Sequence, residues 1–373
     1  METDEVYQLR VCDLVTDRQL GLIDLHDVSY DDYIGRTGSL SGTVPIPTQR
    51  AAQQARDVLI PGRTMLYLER HTTFSTEIAW AGVLWAITPT ADERGLYTCP
   101  IVAAGLESWL RGHRMLTDTL TWAGGDQLAI ARALVAYAQG VPGGDLRIEM
   151  DPTQLSGVAR DRTYAATDLP WIGGLLDQLG AVEGGFEWRI QVYRGGDGVR
   201  HRALRLGYPI LTAGTGDVLL TSPGAVRGHA LPMDATMMAT AWQSRGASIN
   251  TNQAADSVPL LSDLLVSTDD IAAGWPRLDG SSDYSTVSEP DTLTSHARAD
   301  LARYRAPVAI PSITVLSSAA GQLQLGSYIR LKIAAGDLWY SEGLSARYRI
   351  VGLRVQPAER GRPTTTDLYL EAA

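Results

Sequence analysis

The sequence is poor in several residue types, and each shortage excludes a class of protein. Its 373 residues include two cysteines, Cys12 and Cys99, which excludes a disulfide-stapled scaffold and a cysteine-based zinc site. We interpret both as buried thiols, although a single disulfide between them stays open. Lysine occurs once, at Lys332, against 31 arginines, a bias typical of a GC-rich genome. The longest uncharged stretch of the first third, residues 78–91, has 14 residues and is too short to span a bilayer.

Basic charge is also in deficit, since the formal net charge is −10. This argues against a protein that holds nucleic acid by neutralising phosphates. Residues 1–5 are acidic and lack the apolar region of a signal peptide, so we expect synthesis in a cytoplasm. Hydrophobic residues make up 45% and charged residues 20%, as in ordinary globular proteins. At roughly 150 residues per domain, the length suggests two to three domains.

The first hundred residues read as short strands separated by turn residues, a pattern typical of a β-barrel or sandwich. One helix is predicted among them, from Gln49 to Leu59, with Thr48 as its cap and a stop at Pro61–Gly62. The predicted strands are 6–13, 20–30, 39–46, 64–71, 77–88 and 95–103.

The pattern changes after Gly105, where helices appear. Asp126 is predicted to cap a helix that runs to Ala138, and shorter helices are predicted at 106–111 and 169–179. The clearest hairpin of the chain follows, in which the strand 186–192 returns as 199–206. Its turn is Gly195-Gly196-Asp197-Gly198.

Residues 212–290 are rich in small and polar residues and carry weaker signals. We predict a strand over 236–243, a loop over 275–288, and a helix capped by Asp291 and ended by Pro307. The remainder returns to alternating patterns, with strands predicted around 329–333, 347–355 and 365–370.

Motifs for phosphate binding, zinc proteases and nucleophile elbows are absent from the sequence. Asp24 and His26 would share a strand face as metal ligands, but a polar strand edge is the better interpretation. His71 and Glu77 could act as a base and its orienting group, but we expect them to flank an exposed hairpin tip. His113 is interpreted as a surface residue where a helix turns into a loop.

Three further features have both a chemical and a structural interpretation. Paired carboxylates such as Asp31/Asp32 could support glycoside hydrolysis, but 42 acidic residues make such neighbours common. The nine tryptophans fit core packing better than sugar stacking. Arg200, Arg202 and Arg205 form a modest basic patch, which we interpret as a solvated sheet face or a protein interface. We therefore assign no catalytic, cofactor-binding or metal-binding residue, no cofactor and no enzymatic activity.

The order of segments resembles the minor tail proteins of long-tailed (siphovirus-type) actinobacteriophages, in particular the baseplate hub class. The most specific stretch is Phe186-Glu187-Trp188-Arg189-Ile190 with its glycine hairpin and Leu206-Gly207-Tyr208-Pro209. The sequence departs from the family pattern at Ile210-Leu211-Thr212, where a glycine is expected soon after the proline. The other stretches are 7–47 with its Gly38–Pro45 run, 78–85 with 96–114, and Tyr348–Leu353 with the final strand.

This resemblance implies a mainly β fold with α/β insertions, consisting of two β-barrel domains and two smaller α+β domains. The first barrel would occupy 1–103, and an α/β domain containing the 186–206 hairpin would occupy 104–222. The second barrel would combine 223–245 with 307–373, so that the strand near 230–245 joins the C-terminal strands. Residues 246–306 would form an inserted loop and helix domain.

The resemblance also implies a structural virion protein at the tail tip, made in the host cytoplasm. It would form a homotrimer and connect the tail tube or distal tail protein to the tip or fibres, near the tape measure protein. Phage DNA would pass through its channel without specific binding, aided by acidic charge, close to the host envelope. The alternatives are a tail-tip carbohydrate-binding or cell-wall-degrading protein, the hub of a phage-derived injection particle, and a cellular β-rich binding module.

Overall fold

The computed structural model describes residues 5–73, 75–249, 258–316, 323–359 and 361–373. In those ranges no helix is both long and apolar enough to cross a membrane. Phe74, which lies between His71 and Glu77, and the first residue of the short apolar stretch 257–265 fall outside the described residues.

The described residues of the N-terminal part form a β unit of eight strands and one helix, where the sequence pattern predicts six strands and one helix. The Thr48 hydroxyl accepts a hydrogen bond from the Ala51 N–H at 3.1 Å and so caps the helix, as expected. The strand predicted over 20–30 is in fact two, because the chain leaves the strand conformation at Asp24 and Leu25; Asp27, with a φ of 50°, lies within the second strand. The elements are β1 (Val6–Asp13), β2 (Gln19–Ile23), β3 (His26–Tyr33), β4 (Ser39–Ile46), α1 (Gln49–Val58), β5 (Thr64–His71), β6 (Thr76–Ile87), β7 (Thr90–Ala91) and β8 (Tyr97–Ala104).

The next part mixes helices with short strands. The Asp126 carboxylate accepts from the N–H groups of Leu128 and Ala129 at 2.9 and 3.2 Å, which confirms the predicted cap. The glycine hairpin is also confirmed, with Glu187 opposite Gly207 and Arg194 opposite Arg200. The elements are α2 (Glu107–Gly112), β9 (Leu120–Asp126), α3 (Gln127–Gln139), β10 (Ile148–Glu149), β11 (Ala159–Tyr164), α4 (Ile172–Gly180), β12 (Glu187–Arg194) and β13 (Arg200–Gly207).

The C-terminal part contains a second β unit and a segment inserted into it. The predicted cap at Asp291 is wrong: Glu289 is the N-cap residue, and Pro290 takes the first helical position, where its missing N–H costs no hydrogen bond. The elements are β14 (Ala213–Ser222), β15 (Val226–Ala230), β16 (Met233–Asp234), β17 (Ala241–Ile249), β18 (Val258–Leu261), β19 (Leu265–Val266), α5 (Thr268–Ala272), β20 (Asp279–Asp283), α6 (Pro290–Tyr304), β21 (Val308–Ala309), β22 (Ser312–Leu316), β23 (Ser327–Ile333), β24 (Leu344–Gln356) and β25 (Thr365–Ala372).

One 14-stranded sheet runs through both β units. Its strands follow the order β15-β22-β25-β24-β3-β4-β8-β6-β5-β1-β2, and β14 joins through β23. The units meet where β24 pairs antiparallel with β3, with Leu353 opposite Asp32. The expectation of two closed barrels is not confirmed, since no sheet formed by the described residues closes on itself.

The inserted segment builds its own small sheet. β17 pairs with β18, β19 and β20, whereas β15 pairs with β22 of the C-terminal unit. The expectation that the strand near 230–245 joins the C-terminal strands therefore holds for its beginning and is wrong for β17. β20 lies within the predicted 275–288 loop, where the small and polar sequence Asp-Gly-Ser-Ser-Asp gave no apolar signal.

The hydrophobic core forms four clusters. β5 is buried on both faces, so Leu66 and Leu68 pack inside the first β unit while Met65 and Tyr67 pack toward the helices. A third cluster fills the C-terminal β unit. The inserted segment has the smallest, in which Trp242 stacks on Tyr304 at 5.0 Å between ring centroids.

Candidate functional site

The β12–β13 hairpin lies where the two β units meet the helical part, and charged side chains hold it there. Four of its arginines, at 189, 194, 200 and 202, form ion pairs with carboxylates of the first β unit. Its first residue, Glu187, pairs with Arg349 on β24 of the C-terminal unit. We call this set of contacts the hairpin junction.

Asp17 receives two of these arginines. Arg202 is 3% exposed, and its Nη2 lies 2.9 Å from Asp17 Oδ1, while Arg200 contacts Asp17 Oδ2 at 2.8 Å. The Tyr67 hydroxyl donates to Asp17 at 2.6 Å and accepts from Arg202 Nη2 at 2.9 Å. Because Arg202 also donates to the carbonyl oxygens of Leu14 and Leu146, every part of its guanidinium has a partner.

Glu69 is the second residue that binds the hairpin to the first β unit, and it is 0% exposed. Arg10 binds both carboxylate oxygens, at 2.9 and 2.8 Å, and Arg194 binds Oε1 from the hairpin. Burial acts to raise the pKa of Glu69, but the hydrogen bonds from Arg10 and the charges of both arginines outweigh it and lower that pKa. Glu69 is therefore held as a carboxylate inside the fold.

Arg349 binds the hairpin to the C-terminal β unit, and it is 2% exposed. Its Nη1 and Nη2 lie 2.6 Å from the two oxygens of Glu187, and Nη2 also lies 2.6 Å from Glu371. Nη1 donates to the carbonyl of Leu211 at 2.9 Å, whose N–H in turn donates to Glu187. Burial opposes the charge on Arg349, but the two carboxylates raise its pKa.

A cleft of about 450 Å³ lies between the hairpin and both β units, and its lining includes Asp32, Glu107 and Arg189. Arg189 pairs with Asp32, and the Ile190 N–H donates to Glu107 Oε1 at 2.7 Å. Burial, followed by the nearby Asp32 charge, raises the pKa of Glu107. Burial likewise raises the pKa of Asp32, although the Arg189 charge opposes it.

Large apolar side chains are exposed on loops and edges away from the junction. The clearest pair lies between β23 and β24, where Leu338 is fully exposed and Trp339 is 71% exposed. Such side chains mark candidate protein contacts when they occur together. Others are Leu96 and Tyr97 at the start of β8, Met233 and Met237, and Val258, Leu261 and Leu264 in the inserted segment.

The structure separates most of the residues considered as metal or catalytic candidates. The described ranges contain no group of three or more histidine, cysteine or acidic side chains that could hold a metal. His26 lies 3.5 Å from Glu359, and Glu77 pairs with Arg70 at 2.7 Å. His71 faces Glu69 at 3.8 Å rather than Glu77.

The remaining predictions have mixed outcomes. Cys12 and Cys99 are free and buried, which confirms the thiol interpretation. His113 is exposed as predicted and stacks on Trp85 at 4.1 Å. Most tryptophans are buried or partly buried, in keeping with core packing, whereas Trp171, Trp275 and Trp339 are exposed.

The basic patch needs a correction, because Arg202 is 3% exposed and Arg200 is mostly covered, so neither lies on a solvated sheet face. They belong to the contact between the hairpin and the first β unit, and Arg205 hydrogen-bonds Gln191 on the exposed side. Their partner Asp17 was not singled out from the sequence, nor was Glu69, the partner of Arg194. Glu69 directly follows the apolar run from Met65 to Leu68, which was the available signal.

No protein-family model matches the chain, and a search of curated proteins finds no match. The fold is similar to those of three solved phage-type tail proteins. The tail protein from Neisseria meningitidis MC58 has a TM-score of 0.57 at 13% identity, covering 98% of this chain and 96% of that one. The prophage MuSo2 43 kDa tail protein from Shewanella oneidensis has a TM-score of 0.57 at 8% identity, covering 98% of each chain. The prophage tail protein gp18 from Listeria monocytogenes EGD-e has a TM-score of 0.51 at 13% identity, covering 97% of this chain and 94% of that one.

The fold is also similar to a chain of the PdpA-VgrG complex, with a TM-score of 0.54 at 6% identity. That likeness covers 99% of this chain and 65% of the other. Together the likenesses show that this chain has a fold found in phage tail proteins.

Proposed function

We propose that this chain is a structural virion protein, the baseplate hub at the distal end of a long-tailed phage tail. The observation that carries the proposal is the full-length likeness of its fold to tail proteins, which includes the inserted segment as well as both β units. A siphovirus of actinobacteria as the source remains part of the proposal. The proposed role is assembly rather than catalysis.

The hairpin junction supports a role that requires a fixed relation between parts. The two β units share one sheet through β3 and β24, and the buried arginines bind the hairpin to both of them. Groups in such a network resist relative motion because each shift would leave a buried charge without its partner. A component that joins a tube to tip proteins needs this kind of rigidity.

We propose that the chain assembles as a homotrimer around a channel that phage DNA passes without specific binding. Its other partners would be the tail tube or distal tail protein, the tape measure protein, and tip or fibre proteins, with the host envelope nearby. The exposed apolar loops, in particular Leu338 and Trp339, supply surfaces for such contacts. A net charge of −10 would help DNA slide through the channel, because like charges repel phosphates.

The hub of a phage-derived injection particle is a second candidate, favoured by the likeness to a chain of the PdpA-VgrG complex. The carbohydrate-binding alternative gains no support from the cleft. Trp80, which lines it, is buried and donates its indole N–H to the Asp31 carbonyl at 3.1 Å. We propose the domain limits 1–103, 104–222, 223–245 with 307–373, and 246–306, with one change. The limit at 245 moves to before Ala241, because β17 pairs with strands of the inserted segment.

The first test is the mass of the full chain in solution, measured by light scattering across a concentration series. We expect a species of three times 40.3 kDa that dissociates on dilution. A chain that stays at 40.3 kDa across the series would favour a monomeric binding module, and glycan-binding and peptidoglycan-hydrolysis assays would then follow.

A further inference from the structure

A small cavity lies between the inserted segment and the helical part, apart from the hairpin junction. Its volume is about 30 Å³, and holding one water needs roughly 10–15 Å³ measured in the same way. β11 supplies Arg162 and Tyr164, and α6 supplies Thr292 and His296. Exposed residues at its edge, including Thr163 and Ser288, leave the cavity accessible from outside.

Three buried polar side chains meet at this cavity, and two carry unpartnered atoms. Arg162, Tyr164 and His296 are 8%, 3% and 1% exposed. Among the described residues, the Tyr164 hydroxyl donates to no acceptor and His296 Nδ1 has no hydrogen-bond partner, although Arg162 lies near the Tyr164 oxygen and opposes the rise that burial gives the Tyr164 pKa. An unpartnered buried polar atom costs about 1–3 kcal/mol, so two at one cavity indicate that something binds there.

Arg162 adds a charge without a counter-ion. Its Nη1 donates to the Asp161 carbonyl at 2.9 Å and reaches the Thr292 hydroxyl at 3.5 Å, both of which are neutral. It forms no ion pair with any carboxylate of the described ranges, unlike the buried arginines of the hairpin junction. Nearby Arg160 adds a second positive charge, and the pKa of Arg160 is lowered by burial and then by Arg162.

The cavity also faces the start of α6, a helix of 15 residues. Glu289 is its N-cap residue, and the Glu289 side chain makes no capping hydrogen bond. The first intrahelical bond is from the Leu293 N–H to the Glu289 carbonyl, so the N–H groups before Leu293 have no partner within the helix. Such a terminus favours negative charge.

We propose that this cavity is a binding site for a small inorganic anion of halide size, held by Arg162, the Tyr164 hydroxyl and His296. The anion balances the charge of Arg162. It accepts one hydrogen bond from the Tyr164 hydroxyl and a second from the protonated Nδ1 of His296. It thereby joins β11 to the inserted segment. This inference is independent of the proposed function.

Anion binding at this site takes up a proton on His296. Burial, followed by the Arg162 charge, lowers the pKa of His296 to about 4, so the imidazole is neutral at pH 7 without the anion. Its ring stacks on Tyr284 at 4.0 Å, and the Ala181 backbone favours its charged form. The other charged or titratable groups around it are Arg160, Arg162, Asp161, Tyr164, Glu289 and Asp291.

Asp161 and Glu289 carry negative charge at the cavity edge and oppose an anion. The Asp161 carboxylate accepts the Gly124 N–H at 2.6 Å, which orients it toward β9. Both residues are exposed, whereas Arg162 is buried, so solvent screens the two carboxylates more than it screens the guanidinium.

The experiment measures the thermal midpoint of the full chain in a sodium bromide series at constant ionic strength, balanced with gluconate. A ligand that binds the folded state raises the midpoint with the logarithm of its concentration. Tyr164→Phe removes the unpartnered hydroxyl and should weaken bromide binding about 10-fold to 100-fold, as expected for a hydrogen bond to a charged group. Tyr304→Phe, on α6 but stacked on Trp242, is the matched control and should respond as wild type.

Two further measurements locate the ion and its proton. Crystals soaked in bromide should show an anomalous peak between Arg162, Tyr164 and His296. Bromide affinity should rise as the pH falls from 7 to 5, by at most about tenfold for each pH unit, because binding takes up no more than one proton. The absence of an anomalous peak, together with equal shifts of the thermal midpoint in wild type and Tyr164→Phe, would overturn the proposal. Water would then be the occupant of the cavity. A peak with pH-independent affinity would overturn the role of His296.

Discussion

The hairpin junction and the inserted segment differ in the partners of their buried arginine side chains. At the junction every buried arginine meets a carboxylate, as Arg349 does with Glu187 and Arg202 with Asp17. In the inserted segment and its contact with β11, Arg162 is buried among neutral partners, and the apolar core is small. We therefore infer that the two β units and the hairpin form the rigid part of the molecule, whereas the inserted segment is more weakly attached.

The strongest test of this contrast is Arg349→Met. Removing the guanidinium leaves Glu187 and Glu371 without their cation, and breaking a buried ion pair costs about 3–5 kcal/mol of unfolding free energy. Urea unfolding would measure that loss. Arg347→Met, two residues away on β24 in a half-exposed pair with Asp217, is the control and should lose at most about 1 kcal/mol. Equal losses would contradict the assignment of the junction as the rigid part.

Glu69→Gln tests the same region through pH. The variant should be less stable than wild type at pH 7 by about 3 kcal/mol, since Arg10 and Arg194 lose their shared carboxylate. Because the pKa of Glu69 is lowered in the fold, its contribution is present above its usual value of 4.5 and is lost as pH falls through the folded value. Unfolding curves from pH 7 to pH 3 should therefore converge for the two proteins, and a gap that persists unchanged at pH 3 would refute this role.

Glu107→Gln should behave in the opposite way. The folded pKa of Glu107 is raised by burial, so its ionisation opposes folding at a pH above the folded value. The amide can still accept the Ile190 N–H, and the variant should equal or exceed wild type at pH 7. Wild type should gain stability relative to the variant as pH falls toward 4.5, which is the usual pKa. A loss at pH 7 comparable with that of Glu69→Gln would contradict this account.

The smallest expected effect on stability is at Trp339. Trp339→Ala should change the unfolding free energy by no more than about 0.5 kcal/mol, because the side chain is exposed. It should nevertheless weaken self-association measured by light scattering if this loop contacts a neighbouring subunit. Leu169→Ala, at an exposed position outside the loop, is the control and should leave association unchanged.

Local signals in the sequence predicted much of the fold. The caps at Thr48 and Asp126 and the glycine turn of the hairpin each depend on residues close in the chain, and the structure has all three. The break between β2 and β3 at Asp24 and Leu25 was missed because no glycine or proline marks it.

The candidate site could not be predicted in the same way. Arg349 alternates with Tyr348 and Ile350, which predicts a solvent-facing side chain, yet the hairpin covers that face and buries it. Its partner Glu187 lies 162 residues away in sequence, and no local pattern reports such a pairing. The pairing of β24 with β3 and the pairing of β17 within the inserted segment also connect residues far apart in the sequence, so local patterns did not predict them.

The central claim, that this chain is a tail hub, is tested most directly by electron microscopy of the assembled protein. We expect images of a three-fold ring with a central channel, in which the Leu338–Trp339 loop lies against a neighbouring subunit. Particles that remain single chains at concentrations where wild type should associate, or a ring with that loop in solvent and no channel, would contradict it.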